Sequence, residues 1–248
     1  MTIAVRGRRA ASRLTGTAVA ALALTLAAGG CSLTQNAAVT KVHAPGFLGS
    51  AAPLLTPGDV SKGQAGLRYW NPNVPWSQYG KVIIEPVTFW GDDASKVSAS
   101  DQTALTTYFY GALQTQFGQK FTVVTAPGPG VMRLQVAVTD AESATPVLRT
   151  VSLVVPQLNV LETVQSLATG EYIFAGSLQA AMKLSDAATG QLLAAAVGRA
   201  LGGGSVAAAA QWKWGDAENA MDTFATKAAA NLAAVTSGRA TPDQLPVQ

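Results

Sequence analysis

The clearest alternation of apolar and polar positions runs through Tyr172, Phe174, Leu178, Ala180, Met182 and Leu184, with Ser177, Gln179, Lys183 and Ser185 between them. A period of two marks a strand with one buried face. Met132, Leu134, Val136 and Val138 repeat the pattern, facing away from Arg133, Gln135 and Thr139. Asp186 to Gly190 predicts a hairpin turn onto Gln191–Arg199. Val82 to Val87 predicts a further strand, and Pro86, which cannot donate to a ladder, marks an edge or a bulge in it. Phe121 to Thr125 is a short strand and Pro127 to Gly130 a turn.

Two stretches keep helical spacing instead. Ser98, with Asp101 three residues later, forms a capping box ahead of Leu105, Phe109, Ala112, Leu113 and Phe117, and Gly118 ends that run. Asp216 caps a longer helix whose stripe is Met221, Phe224, Ala225, Ala228, Leu232 and Val235, with Gly238 as its stop. The order predicts a single α+β domain over residues 67–238, a mixed, mostly antiparallel sheet packed by two main helices. Residues 239–248 are expected to form a disordered tail. Residues 31–66 carry three charges, three prolines, five glycines and no apolar period. They are expected to form a flexible tether with an average reach of about 30 Å.

Composition narrows the chemistry. Among 248 residues, 48% are hydrophobic and 12% charged, which excludes a solvated disordered chain. One cysteine and one histidine, His43, leave no internal disulfide and too few ligands for a structural zinc site. No cofactor is expected. Of the 17 basic residues, Arg6, Arg8, Arg9 and Arg13 lie at the start; without them 13 basic residues face 14 acidic ones. The body is near neutral, so nucleic acid is not an expected partner.

Those arginines precede an apolar run from Ala18 to Ala28, too short to span a bilayer but suited to the core of a signal peptide. Small residues lead to Cys31. Residues 1–30 resemble a bacterial lipoprotein signal with its lipobox, which implies cleavage before Cys31 and acylation of its sulfur. Ala28 departs from the usual leucine, and an ordinary secretory signal or twin-arginine export are the alternatives. Acyl chains would make the membrane a partner through an N-terminal anchor. Ser32 after the cysteine favours the periplasmic side of the outer membrane.

Trp90-Gly91-Asp92 and Trp214-Gly215-Asp216 both precede helices. Asp92, Asp93, Asp216 and Glu218 could converge as a cation or partner site, or as acid and base; helix capping is the simpler role. Tyr69, Trp70, Trp76 and Tyr79 form a candidate aromatic strap for a sugar or peptide, or else the edge of a core. Gly202-Gly203-Gly204-Ser205 lacks the lysine of a nucleotide loop, and no Gly-x-Ser-x-Gly occurs. Val147 to Leu167 reads as buried core or as an apolar patch for a partner.

The strings PGFLG at Pro45–Gly49, the Tyr69–Tyr79 segment, EPVTFWGDD at Glu85–Asp93, TDAESATPVLRTVSLVVPQ at Thr139–Gln157, and GGGS through WGDAENAMD ending at Asp222 carry a resemblance. On them the chain is identified as a member of a family of proteobacterial lipoproteins known as domain of unknown function 3313. The resemblance implies no activity and no catalytic residue. The leading expectation is a non-enzymatic lipoprotein that binds another envelope component, a protein or the cell wall. An envelope hydrolase or metal-dependent binder using the four carboxylates is the second, and a homo-oligomer built through sheet edges the third.

Overall fold

Strand pairing follows the alternation closely. The computed structural model describes residues 35–40, 42–43, 45–91, 97–142, 177–201 and 214–246. Its long strands are β7 (Val131–Glu142), β8 (Ser177–Asp186) and β9 (Leu192–Leu201), paired antiparallel in that order. The turn between β8 and β9 is held by Asp186, whose Oδ1 accepts from the backbone N–H groups of Ala188 and Thr189 at 2.9 and 2.8 Å. Among the described residues, shorter strands complete a nine-stranded sheet. β1 (Gln35–Ala37) and β3 (Leu67–Trp70) both pair with β9, and β2 (Thr56–Pro57) pairs with β3. On the other side β4 (Lys81–Ile84) and β5 (Thr88–Phe89) run parallel to β7, and β6 (Thr122–Val123) runs parallel to β4. The sheet is mixed and mostly antiparallel, as expected. The strand expected over Val82–Val87 ends at Ile84 as β4; past Pro86 the chain returns to the same partner only at Thr88, as β5.

One face of this sheet carries two long helices. Helix α2 (Ala99–Gly118) begins at Ser98, whose Oγ accepts from the N–H of Asp101 at 3.2 Å and donates to its carboxylate at 2.7 Å. It buries Leu105, Phe109, Leu113 and Phe117, the predicted stripe. Helix α3 (Gly215–Thr236) buries Met221, Ala225, Leu232 and Val235, and Gly238 follows it with φ +71°. Both pack on Met132, Leu134, Val136, Leu178 and Leu184 to form the main core. Gly198 of β9 lets α3 come close, because a Cβ there would lie 2.4 Å from the Phe224 ring. Among the described residues no helix is long and apolar enough to cross a membrane.

The opposite face is covered too, and here the sequence misleads. Residues 31–66 were expected to be a tether, yet β1 is hydrogen-bonded into the sheet and α1 (Pro45–Leu48) buries Phe47 and Leu48. Those two side chains pack on Ala137, Ala181 and Val197, with Val39, Val42, Ala52, Leu55 and Leu67 around them. Short elements joined by irregular chain leave no period, so composition alone resembled a linker. Gln179, expected on a polar face, is 3% exposed, and its Oε1 accepts from the His43 N–H and the Thr139 hydroxyl at 3.2 Å. Thr139 sits at a register shift in β7, where the extra residue breaks the alternation.

The disordered tail needs the same correction. Pro242–Gln244 form a 3₁₀ turn closed by a capping box, and Leu245 is buried with Ala234, Val235 and Ala240 against Trp70 and Trp76. One apolar residue in a polar tail gives no periodic signal. The folded unit therefore extends beyond 67–238 at both ends. Val147 to Leu167, Tyr172, Phe174 and Gly202–Ser205 lie outside the described residues.

Candidate functional site

Helix α3 fixes Asp216 and Glu218 in its first turn, where a carboxylate is favoured by the helix dipole. The residue that caps the helix is Trp214, so Asp216, the expected cap, lies two residues further in. Asp216 is 2% exposed, whereas Glu218 is half-buried. Asp92, Asp93 and Cys31 lie outside the described residues. Among the described residues no group of three His, Cys, Asp or Glu side chains could hold a metal ion.

The aromatic strap divides. Trp70 and Trp76 meet edge to face at 5.2 Å, and Trp76 meets Tyr79 at 6.4 Å. Tyr79 is buried and donates to Asp186 Oδ2 at 3.0 Å. Burial, and then the Asp186 carboxylate, push its phenol above the usual range. Tyr69 neighbours Trp70 along β3 and so points to the other sheet face. Three of the four rings thus form the end wall of the core.

That wall borders a cleft the sequence does not announce. The helix face of the sheet carries small residues beneath α3, namely Ala180, Ala194, Ala196 and Gly198, and α3 answers with Ala228. Small side chains on both sides leave a cavity of about 140 Å³. Were it fully enclosed, a void of that size would forgo on the order of 3 kcal/mol of core packing. Trp70 and Leu245 stand on its lining, as does Phe224. Its polar side-chain lining comes from Asn36, Gln64, Arg68, Lys227 and Asn231. Phe224, Lys227, Ala228, Asn231 and Leu232 recur at three and four residues, which puts them on one face of α3.

Two cationic side chains face the cleft, Arg68 and Lys227, whereas Arg199 neighbours Gly198 along β9 and turns its side chain to the other sheet face; none of the described lining residues is acidic. Arg68 donates from Nη1 to the Pro242 carbonyl at 3.1 Å, and its Nη2 lies 4.0 Å from Asp243, whose side chain is 98% exposed. The sequence holds a faint trace of this arrangement. Lys227 interrupts the apolar surface of α3, but nothing in that position alone shows that it shares a cleft with Arg68.

Residues 43–228 match the family described as protein of unknown function, DUF3313. The chain belongs to that family. The DUF3313 match begins inside the segment that covers the second sheet face and ends within α3, so it spans both walls of the cleft. No curated protein matches the chain. Among solved structures it is similar to the PelC dodecamer from Paraburkholderia phytofirmans, at 11% identity and a TM-score of 0.36, covering 64% of this chain and 94% of that one. It is also similar to a DUF330 protein from Xanthomonas campestris, at 12% identity and a TM-score of 0.39, covering 68% and 92%. Likeness this distant carries no site residue and no activity across to the DUF3313 chain.

Proposed function

We propose that this is a lipid-anchored protein of the outer membrane, facing the periplasm, whose domain binds another envelope component and is not an enzyme. The observation that carries it is the position of the lone cysteine. Cys31 follows an Arg-rich start, an apolar run and three small residues, and it stands four residues before Gln35, the first residue of β1. Four residues span at most about 14 Å whatever their path. An acyl chain on Cys31 would therefore hold the domain close against the bilayer, with no long tether between them.

The cleft supports a binding role, since concave apolar sites bordered by a few polar groups are the usual form of ligand sites. Asp216, by contrast, is almost sealed from solvent, which makes it poorly placed as an acid or base for a soluble substrate. The anchor is tested by intact mass spectrometry of the protein extracted from native envelopes. A product starting at Cys31 and carrying the mass of acyl chains is expected; an unmodified Cys31, or a start at Met1, overturns the proposal.

A further inference from the structure

Taking the cleft as the binding site, we infer that it holds one hydrocarbon chain of an anionic amphiphile drawn from the adjacent membrane. Volume sets the first limit. A dry cavity of roughly 150 Å³ accommodates benzene, so about 140 Å³ holds roughly six carbons. That is the end of one chain and falls short of the two chains of a diacyl lipid. The walls set the second. Ala180, Ala196, Phe224 and Ala228 offer no polar side-chain atom to a guest, which suits methylene groups and disfavours a sugar or a peptide backbone.

The border selects the head group. Arg68 and Lys227 bring two positive charges to it, and no acidic residue stands among the described lining. The carbonyl of Pro242 already fixes one nitrogen of Arg68, and its side chain stays 21% exposed. Asp243 approaches it only at 4.0 Å from a fully solvated position, so an incoming carboxylate or phosphate can displace it at little cost. A cationic head would be repelled there.

Geometry also names the source. Asn36 lines the cleft and belongs to β1, paired with Ala200. It stands five residues after Cys31, a span of at most about 18 Å. An anchor on that cysteine keeps the cleft beside the lipid surface, where single-chain anions partition.

The test uses the full chain carrying Cys31→Ser, titrated calorimetrically with sodium salts of straight-chain fatty acids of increasing length. Affinity should rise about fourfold per methylene while the cavity fills, then level off. Ala228→Leu, which fills the cleft, should weaken binding at least tenfold with no loss of melting temperature. Should that variant unfold, Ala196→Val reports on the opposite wall. Arg68→Gln should weaken fatty acids about fivefold and leave the matching alcohols unchanged. Equal affinity for acids and alcohols, no dependence on length, or displacement of the fatty acid by inorganic phosphate would each overturn the inference. Natively acylated protein should bind like the Cys31→Ser form. If only the latter binds, the occupant is the chain's own acyl group and the inference fails. These outcomes are separate from the anchor test, because Cys31→Ser protein reports on the cleft even if the native product proves unmodified.

Discussion

The two faces of the sheet are buried by opposite means. On one, α2 and α3 lay large side chains such as Phe109, Phe117 and Met221 on Leu134, Leu178 and Leu184. On the other, a short helix and irregular chain press Phe47 and Leu48 onto Ala137, Ala181 and Val197. Regular helices stand off the sheet by the thickness of their side chains, and large residues fill the gap. The irregular cover fills its side with only two large buried side chains, Phe47 and Leu48. It also brings backbone polar groups that need partners, and Gln179 supplies one for His43. Lys183 crosses this second face with its ammonium 4.7 Å from the centre of the Phe47 ring, and burial lowers its pKa.

The contrast can be broken by mutation. Phe109→Ala should cost about 3–5 kcal/mol in urea unfolding, the ordinary cost of emptying a helix-packed core. Leu48→Ala should cost about 2 kcal/mol or more by the same rule. A loss under about 0.5 kcal/mol there would mean that the second face has no real cover. Gly198→Ala should cost about 1–3 kcal/mol, because its methyl would meet the Phe224 ring at 2.4 Å. Combining it with Phe224→Ala should recover part of that loss, a coupling that a double-mutant cycle measures.

Beyond either face, the hairpin turn offers a control. Tyr79→Phe should cost about 0.5–1.5 kcal/mol by deleting the hydrogen bond to Asp186. Burial alone would raise the Asp186 pKa, but the N–H groups of Thr189 and Ala188 and the Tyr79 hydroxyl together bring it below the usual range. Its ionised form thus stabilises the fold above the unfolded value of about 3.9, and that support is lost as pH falls through the lower folded value. Asp186→Asn should flatten the acid limb of stability below about pH 4. The smallest effect lies between the helices. Burial, then the hydrogen bond to Asp222, push the Tyr108 phenol up to about 12. Its neutral form supports the fold fully below about pH 10, and this is lost as pH rises through 12. Asp222→Asn should lower the titration midpoint seen by ultraviolet absorbance.

What was legible in the sequence follows the same divide. The alternation of Met132–Val138 and Leu178–Leu184, the Ser98 cap and both helix stripes are local periodic signals, and all have their place in the fold. Phe47, Leu48 and Leu245 are isolated apolar residues among glycine, proline and polar neighbours, so their burial depends on partners distant in sequence, Ala181 and Val197 for the first two and Trp70 and Trp76 for the third. β9 is apolar on both faces and lost its alternation for that reason. The cleft was hidden by its own chemistry: alanines that leave space have no motif, and Arg68 and Lys227 border one cleft only after folding. The strap was half legible, because clustering in sequence foretold Trp70, Trp76 and Tyr79 but not the turn of Tyr69 to the other side.

The pairing of Gln35 with Leu201 has a consequence for the order in which the molecule is made. The first strand cannot find its ladder until the ninth has left the ribosome, and closing so long a loop is entropically slow. The residues of β1 are thus the last of these strands to settle. Pulsed amide exchange during refolding should show residues 35–37 protected after the β7–β8–β9 meander; protection arriving together would disprove that sequence of events.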